Sequence, residues 1–370
     1  MTESKTAETK TTPESQNGTV KQLVEPSPRA VQTVESSQDF LAQVVGNESR
    51  EGERIQAGPI LKLMYDTAAA VSIRHSGHRT VMLRLDRLDM TGLICHMDLV
   101  RLEGRVIEAG RSSMVVEVRC MTKRPMERDF IPCHVGYLTM VAINDQGQPT
   151  RSMPPFSYDS PLGKEARMLA AHRRSQLDER KQSMAWIEQE HNLRVQDVME
   201  REPFARYDYL SPEESEVHVK GQLLPSGLYQ DRRVLAGDLL VWLERIATYT
   251  ARHFTRNTHV VTISLDEIEF NRALHATDRI ELRSRVVYVR THTLQVTIDI
   301  TVHTMDGQRY NLDPVNFIIL NYQPNGTKKR IHTGLRLTDN DQVSLKRYLK
   351  ARTKHSFWKS NPESHLILSF

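Results

Sequence analysis

Two cysteine–histidine pairs, Cys95-His96 and Cys133-His134, have residue types that could hold a metal in this 370-residue chain. Adjacent residues on a strand point to opposite faces, and no C-x-x-C pair completes a ligand set, so they read as strand residues and no metal site is expected. The chain carries no G-x-S-x-G nucleophile elbow, no G-x-x-x-x-G-K-[ST] phosphate loop and no H-E-x-x-H helix. Hydrolase-elbow, ATP-driven and zinc-peptidase chemistries are set aside on that ground. The remaining chemistry lies at two glycine-led helical runs. Gly58 and Gly237 each open one, and Tyr65-Asp66 and Glu244-Arg245 follow about two turns later. Glu244 beside Arg245 also fits a solvated, salt-bridged helix surface. Arg74-His75 and Arg252-His253, near the helix ends, fit cations that offset exposed carbonyls.

The elements that position these residues occur twice. Ala57-Gly58-Pro59-Ile60-Leu61 recurs as Ala236-Gly237-Asp238-Leu239-Leu240, and Asp86 and Asp98 recur as Asp266 and Asp278, each 180 residues on. Ile60, Leu61, Met64, Ala68 and Val71 fall at helical spacing, as do Leu239, Leu240, Leu243, Ala247 and Ala251. Proline at an early helical position, Pro59, gives up an N–H that had no partner. After each helix the pattern alternates, through Val81, Leu83 and Leu85 and then Val261, Ile263 and Leu265, which predicts strands burying that face. Long strands are expected at 98–108, 113–123 and 133–143, and again at 279–289, 294–303 and 311–322. One alanine-rich helix with several antiparallel strands, written twice, makes an α+β fold in which a sheet curls around each helix.

Hydrophobic residues are 39% of the chain and aromatics 6%, so the cores are aliphatic. A net charge of +4 suits an anionic ligand but not a nucleic-acid surface, so no nucleic-acid partner is expected. Three cysteines with no secretory signal read as reduced thiols. No apolar run reaches the roughly 18–20 residues of a membrane span. Residues 1–37, rich in Thr, Ser, Glu, Lys and Pro, read as a disordered tail. Glu3, Glu8 and Glu14, with no arginine before Arg29, make that tail a poor mitochondrial presequence, so the cytoplasm is favoured over mitochondria. The domains are then 38–155 and 201–325, with a charged, solvated linker helix in 156–200 and a basic tail carrying a helix in 326–370.

The run from Ala57 to Ala69 that ends in Arg74-His75, and the run from Ala236 to Glu244, resemble the glycine-led central-helix motif of hotdog-fold acyl-CoA thioesterases. Gly110-Arg111-Ser112-Ser113-Met114 resembles the strand motif that follows it there, and Arg290-Thr291-His292-Thr293-Leu294 keeps less of it. The likeness covers about Gly52 to Pro324. It implies two tandem hotdog domains, each a central helix wrapped by a curved antiparallel sheet, with the site between them. It further implies hydrolysis of fatty acyl-CoA to acid and CoA, with no cofactor. The glycine turn of one unit would offer an N–H to the thioester oxygen while the other unit supplies an acid. Carried onto this chain, Gly58, Glu244 and Asp66 are the catalytic candidates, and Arg54, Arg233, Gly237, Ser112 and Ser113 the substrate-binding ones. Glu244 and Tyr65 occupy the acid's two positions, so one working site faces one degenerate site. Arg54 and Arg233 stand in place of an asparagine and could hold a CoA phosphate but not position water. A non-catalytic acyl-CoA-binding scaffold is the alternative. Such units pair, so a homo-oligomer, a trimer of double hotdogs by resemblance, is expected.

Overall fold

The computed structural model describes residues 30–46, 54–223 and 233–360. The first half runs α1 (Val34–Ser37), β1 (Asp39–Val44), α2 (Ala57–Ser76), β2 (Arg79–Leu85), β3 (Leu88–Asp89), β4 (Leu99–Ala109), β5 (Ser113–Lys123), β6 (Ile131–Ile143) and α3 (Pro161–Gln189). After α4 (Val195–Val198) and β7 (Asp208–Leu210), the order repeats as β8 (Val217–Gln222), α5 (Ala236–Thr255), β9 (Val260–Leu265), β10 (Ile268–Glu269), β11 (Arg279–Val289), β12 (Thr293–His303), β13 (Arg309–Asn321), β14 (Thr333–Leu335) and α6 (Gln342–Ser360). This is an α+β fold. Two six-stranded antiparallel sheets, ordered β1-β4-β5-β6-β2-β10 and β3-β9-β13-β12-β11-β8, each pack against one 20-residue helix.

The apolar positions that predict the helices, Ile60 to Val71 and Leu239 to Ala251, are all buried. They join one core that runs without a break through both halves, because α2 and α5 pack on each other as well as on their sheets. The halves also exchange strands. β10 pairs with β2 through Ile268 and Leu85, and β3 pairs with β9 through Leu88 and Leu265. Each sheet is therefore finished by two residues of the other half, which leaves one edge fewer open on each.

The repeat is longer than the expected domains. Ser37 Oγ accepts from the Val106 amide at 2.9 Å, and Ser215 Oγ accepts from the Val286 amide at 3.0 Å. Gln32 bridges Phe156 in parallel, as β7 pairs in parallel with β14. Residues 30–37 are thus structured, with Val34 and Ser37 buried, which corrects the expectation of a tail to residue 37; residues 1–29 lie outside the described residues. The charged helices form where expected and α3 is mostly exposed, but both also reach buried partners. Arg173 of α3 donates to Asp86 at 2.9 Å, and Lys354 of α6 donates to Asp266 at 2.6 Å. Arg180 of α3 is only 5% exposed and pairs with Glu267 of the other half. The linker helix and the basic tail helix are therefore equivalent parts of the two copies, each bringing a cation to a buried aspartate. No described helix is long and apolar enough to cross a membrane.

Two further expectations change. In β2 and β9 the residues buried against the core are Thr80 and Met82, and Val260 and Thr262, while Val81, Leu83, Val261 and Ile263 are half-buried. Leu85 and Leu265 are buried as expected, but a register shift between Met82 and Arg84 breaks the alternation in β2, and Ser264 and Leu265 are buried side by side in β9. The helix-end pairs also differ. Counted from the leading glycines, His75 matches Phe254, and both rings are buried. His75 is 2% exposed, meets Phe156 edge-on, and has no hydrogen-bond partner for either ring nitrogen among the described residues.

Burial drives His75 down to about 4, so this histidine is a neutral core residue and not a capping cation. The unfolded chain, with a histidine pKa near 6.5, takes up a proton that the folded chain refuses. Stability is unaffected above that value and falls as pH drops from about 6.5 toward about 4. His75→Phe should therefore leave stability near wild type at pH 7.5 and raise it by about 1–2 kcal/mol at pH 5. Urea midpoints at the two pH values check this. His134, likewise buried and held at about 4, keeps the remaining acid sensitivity.

Candidate active site

The helix pair sets the geometry. A methyl group on Gly58 would stand 3.2 Å from Val241 Cα and 3.5 Å from Glu244 Oε2. On Gly237 it would stand 2.8 Å from Tyr65 Cδ1 and 3.2 Å from Lys62 Cγ. Each glycine thus lets its helix start close against the middle of the other helix, and the pair repeats the same contact in reverse. Lys62 and Asp238 lock it with a 2.7 Å ion pair.

At the first contact sits Glu244, 0% exposed. Thr262 Oγ1 donates to its Oε1 at 2.8 Å, while Oε2 makes no full hydrogen bond among the described residues. Burial pushes the carboxyl up to about 7, against the opposing pull of Thr262, Arg252 and the backbone amides of Ala57 and Gly58. Those two amides open α2, where N–H groups lack helical partners and the potential is positive. A buried carboxyl that titrates near neutrality, faced by backbone donors, can take a proton from water and has donors at hand for an oxyanion.

At the second contact Tyr65 takes the place of Glu244, and Met82 that of Thr262. Beside them opens a groove of about 500 Å³ between the halves, lined by Tyr65, Met82, Ser112, Ser113, Arg233 and Leu239 among others. Arg233 crosses to the first half and donates to the Gly147 carbonyl at 3.2 Å. Arg54 does the reverse, donating to the Gly326 carbonyl at 3.4 Å with its guanidinium 4.6 Å from the centre of the Tyr322 ring.

The candidates from the sequence therefore separate. Gly58 and Glu244 come together. Arg233, Ser112 and Ser113 line the groove on the Gly237 side, and Arg54 lies on the opposite, Gly326 side. Asp66 does not join Gly58 and Glu244; it lies on the Gly237 side, beside the Lys62–Asp238 pair. One residue past Tyr65 the helix has turned by about 100°, and Asp66 lies half-buried near Lys62 and Asp238, its carboxyl raised chiefly by burial. The residue that sequence reasoning misses is Thr262. The strand alternation read its neighbours Val261 and Ile263 as the buried ones, and a polar residue on the other face drew no attention. Cys120 and Cys133 are buried thiols whose pKa values burial raises, Cys133 to about 11.

Residues 234–306, which include Glu244 and Thr262, match the family model described as the thioesterase superfamily. An uncharacterized acyl-CoA thioester hydrolase of Zymomonas mobilis is 27% identical over 111 residues, which is 30% of this chain and 73% of that protein. Among solved structures, an acyl-CoA hydrolase from Bacillus cereus is 24% identical, with a TM-score of 0.39, over 43% of this chain and 98% of that one. An acyl-CoA hydrolase from Staphylococcus aureus, in complex with butyryl coenzyme A, coenzyme A and coenzyme A disulfide, is 21% identical, with a TM-score of 0.37, over 43% of this chain and 99% of that one.

Proposed function

We propose that this chain is a tandem double hotdog that hydrolyses fatty acyl-CoA thioesters between its halves, with Glu244 as the base. One observation carries the reading: a carboxylate wholly buried against the amide-bearing start of the other half's helix, inside the segment that matches the thioesterase superfamily. The name of the Zymomonas mobilis relative supports an acyl-CoA thioester as substrate.

Glu244 takes a proton from water, whose oxygen attacks the thioester carbonyl. The carbonyl oxygen gains negative charge and is met by the Gly58 N–H at the start of α2. When the C–S bond breaks, the thiolate leaves and takes up the proton that Glu244 holds, giving acid and CoA and restoring the carboxylate. Thr262 orients the carboxylate through Oε1 and leaves Oε2 for water. Because Glu244 is fully covered, its cover must part to admit substrate.

The direct test is purified protein with acyl-CoAs of graded chain length, measuring thiol release. Hydrolysis on none of them would defeat the reading. Thr262→Val, nearly isosteric, removes a donor that favours the ionised carboxylate. The pH at half-maximal kcat/KM should then rise by about one unit, since a hydrogen bond to a charged group is worth about 1.5–3 kcal/mol. An unmoved pH profile would leave Thr262 with a packing role only.

A further inference from the structure

We infer that the groove beside Tyr65 is a second ligand site, one that holds an acyl-CoA thioester without cleaving it. The identity of the ligand rests on the proposed activity; the existence of the site does not. At about 500 Å³ the groove has the volume of a small-molecule site, and both halves build it. Val81, Leu83, Val141 and Ile143 come from the first half, Phe270 and Leu274 from the second. Such walls suit an acyl chain.

Polar groups gather on the same lining. Ser112 and Ser113 stand where β5 begins, and Arg233 and Arg272 come from separate loops of the second half. Arg272 and Asn271 are exposed, while Tyr65 and Met82 are buried at the floor. Two guanidinium groups on separate loops fit a head that carries more than one phosphate better than they fit a single carboxylate. Charge and apolar surface together therefore favour acyl-CoA over free fatty acid.

The floor lacks the means to hydrolyse. Tyr65, seven residues after Gly58, stands where Glu244 follows Gly237, and Met82 stands 180 residues before Thr262. A phenol lacks the ionised oxygen of a carboxylate at neutral pH, and methionine cannot orient a base. Asp66, the nearest carboxylate in sequence, lies toward Lys62 and Asp238. Among the described residues no carboxylate lines the groove, so a thioester seated here is not cleaved.

The test counts ligands on the full-length chain by equilibrium dialysis with a non-hydrolysable thioether analogue of lauroyl-CoA. Ala273→Trp and Asn271→Trp each fill the groove from an exposed loop position, outside the Glu244 site. Wild type should bind two analogues per chain. Each tryptophan variant should bind one fewer, with kcat for thiol release unchanged. If both variants bind as many as wild type, the site is overturned. If laurate competes for that ligand as tightly as the thioether does, acyl-CoA is overturned as the occupant. The count is a difference between variants, so it reads the groove even if wild type releases no thiol, the result that would defeat the hydrolysis reading alone.

Discussion

Glu244→Gln should lower kcat for thiol release by about a hundred- to ten-thousand-fold, the usual worth of a positioned general base, and at the same time stabilise the fold at pH 8. The two effects have one cause. Burial holds the folded carboxyl at about 7, above the unfolded value of 4.5. The folded chain therefore keeps a proton that the unfolded chain releases, and the stability this gives is full below pH 4.5 and lost as pH rises through 7. At pH 8 wild type bears an ionised, buried carboxylate, whereas glutamine bears none. The variant should then be more stable than wild type by on the order of 2 kcal/mol, with little difference at pH 5. Wild-type kcat/KM should climb with pH and reach half its limit near 7, because only the ionised form accepts a proton. Urea unfolding at the two pH values and a pH–rate profile check both halves. A variant that keeps its activity, or loses stability at pH 8, would show a structural carboxylate in place of a catalytic one.

Asp266→Ala should cost about 3–5 kcal/mol at pH 7, the typical penalty for removing one partner of a buried ion pair. Asp266 is 1% exposed, with Lys354 at 2.6 Å and Arg87 at 3.5 Å. Burial alone would raise its pKa, but Lys354, Arg87 and Arg180 together hold it below the ordinary value. Its contribution is therefore present above about pH 3.8 and lost as pH falls through the lower folded value, so the penalty fades in acid. Alanine would leave three cations from α6, the β2–β3 turn and α3 facing one another without their shared anion. Denaturant unfolding measures the loss. A change under about 1 kcal/mol would mean that water or Glu267 compensates, and that the outer helices are not held by this aspartate.

The regular elements were legible because their signals are local. The apolar spacing from Ile60 to Val71 places α2, and the two buried stripes place both helices. The strand expected at 113–123 is β5 to the residue, and the one expected at 133–143 starts two residues late against Ile131–Ile143. The buried partners of the charged helices were not legible, because a charge shows its partner only in space. Arg173 lies 87 residues from Asp86, and Lys354 lies 88 from Asp266. Without those partners, α3 and α6 look like solvated surface.

By itself the sequence determined that a glycine-led helix and its strands occur twice, and that only one copy carries a carboxylate seven residues after the glycine. Both are matters of residue type and spacing along one chain. Tertiary structure alone decided that Glu244 is sealed against the Ala57 and Gly58 amides, that Thr262 holds it, and that Tyr65 borders an open groove. Each of these depends on how two helices cross, which short-range periodicity does not encode.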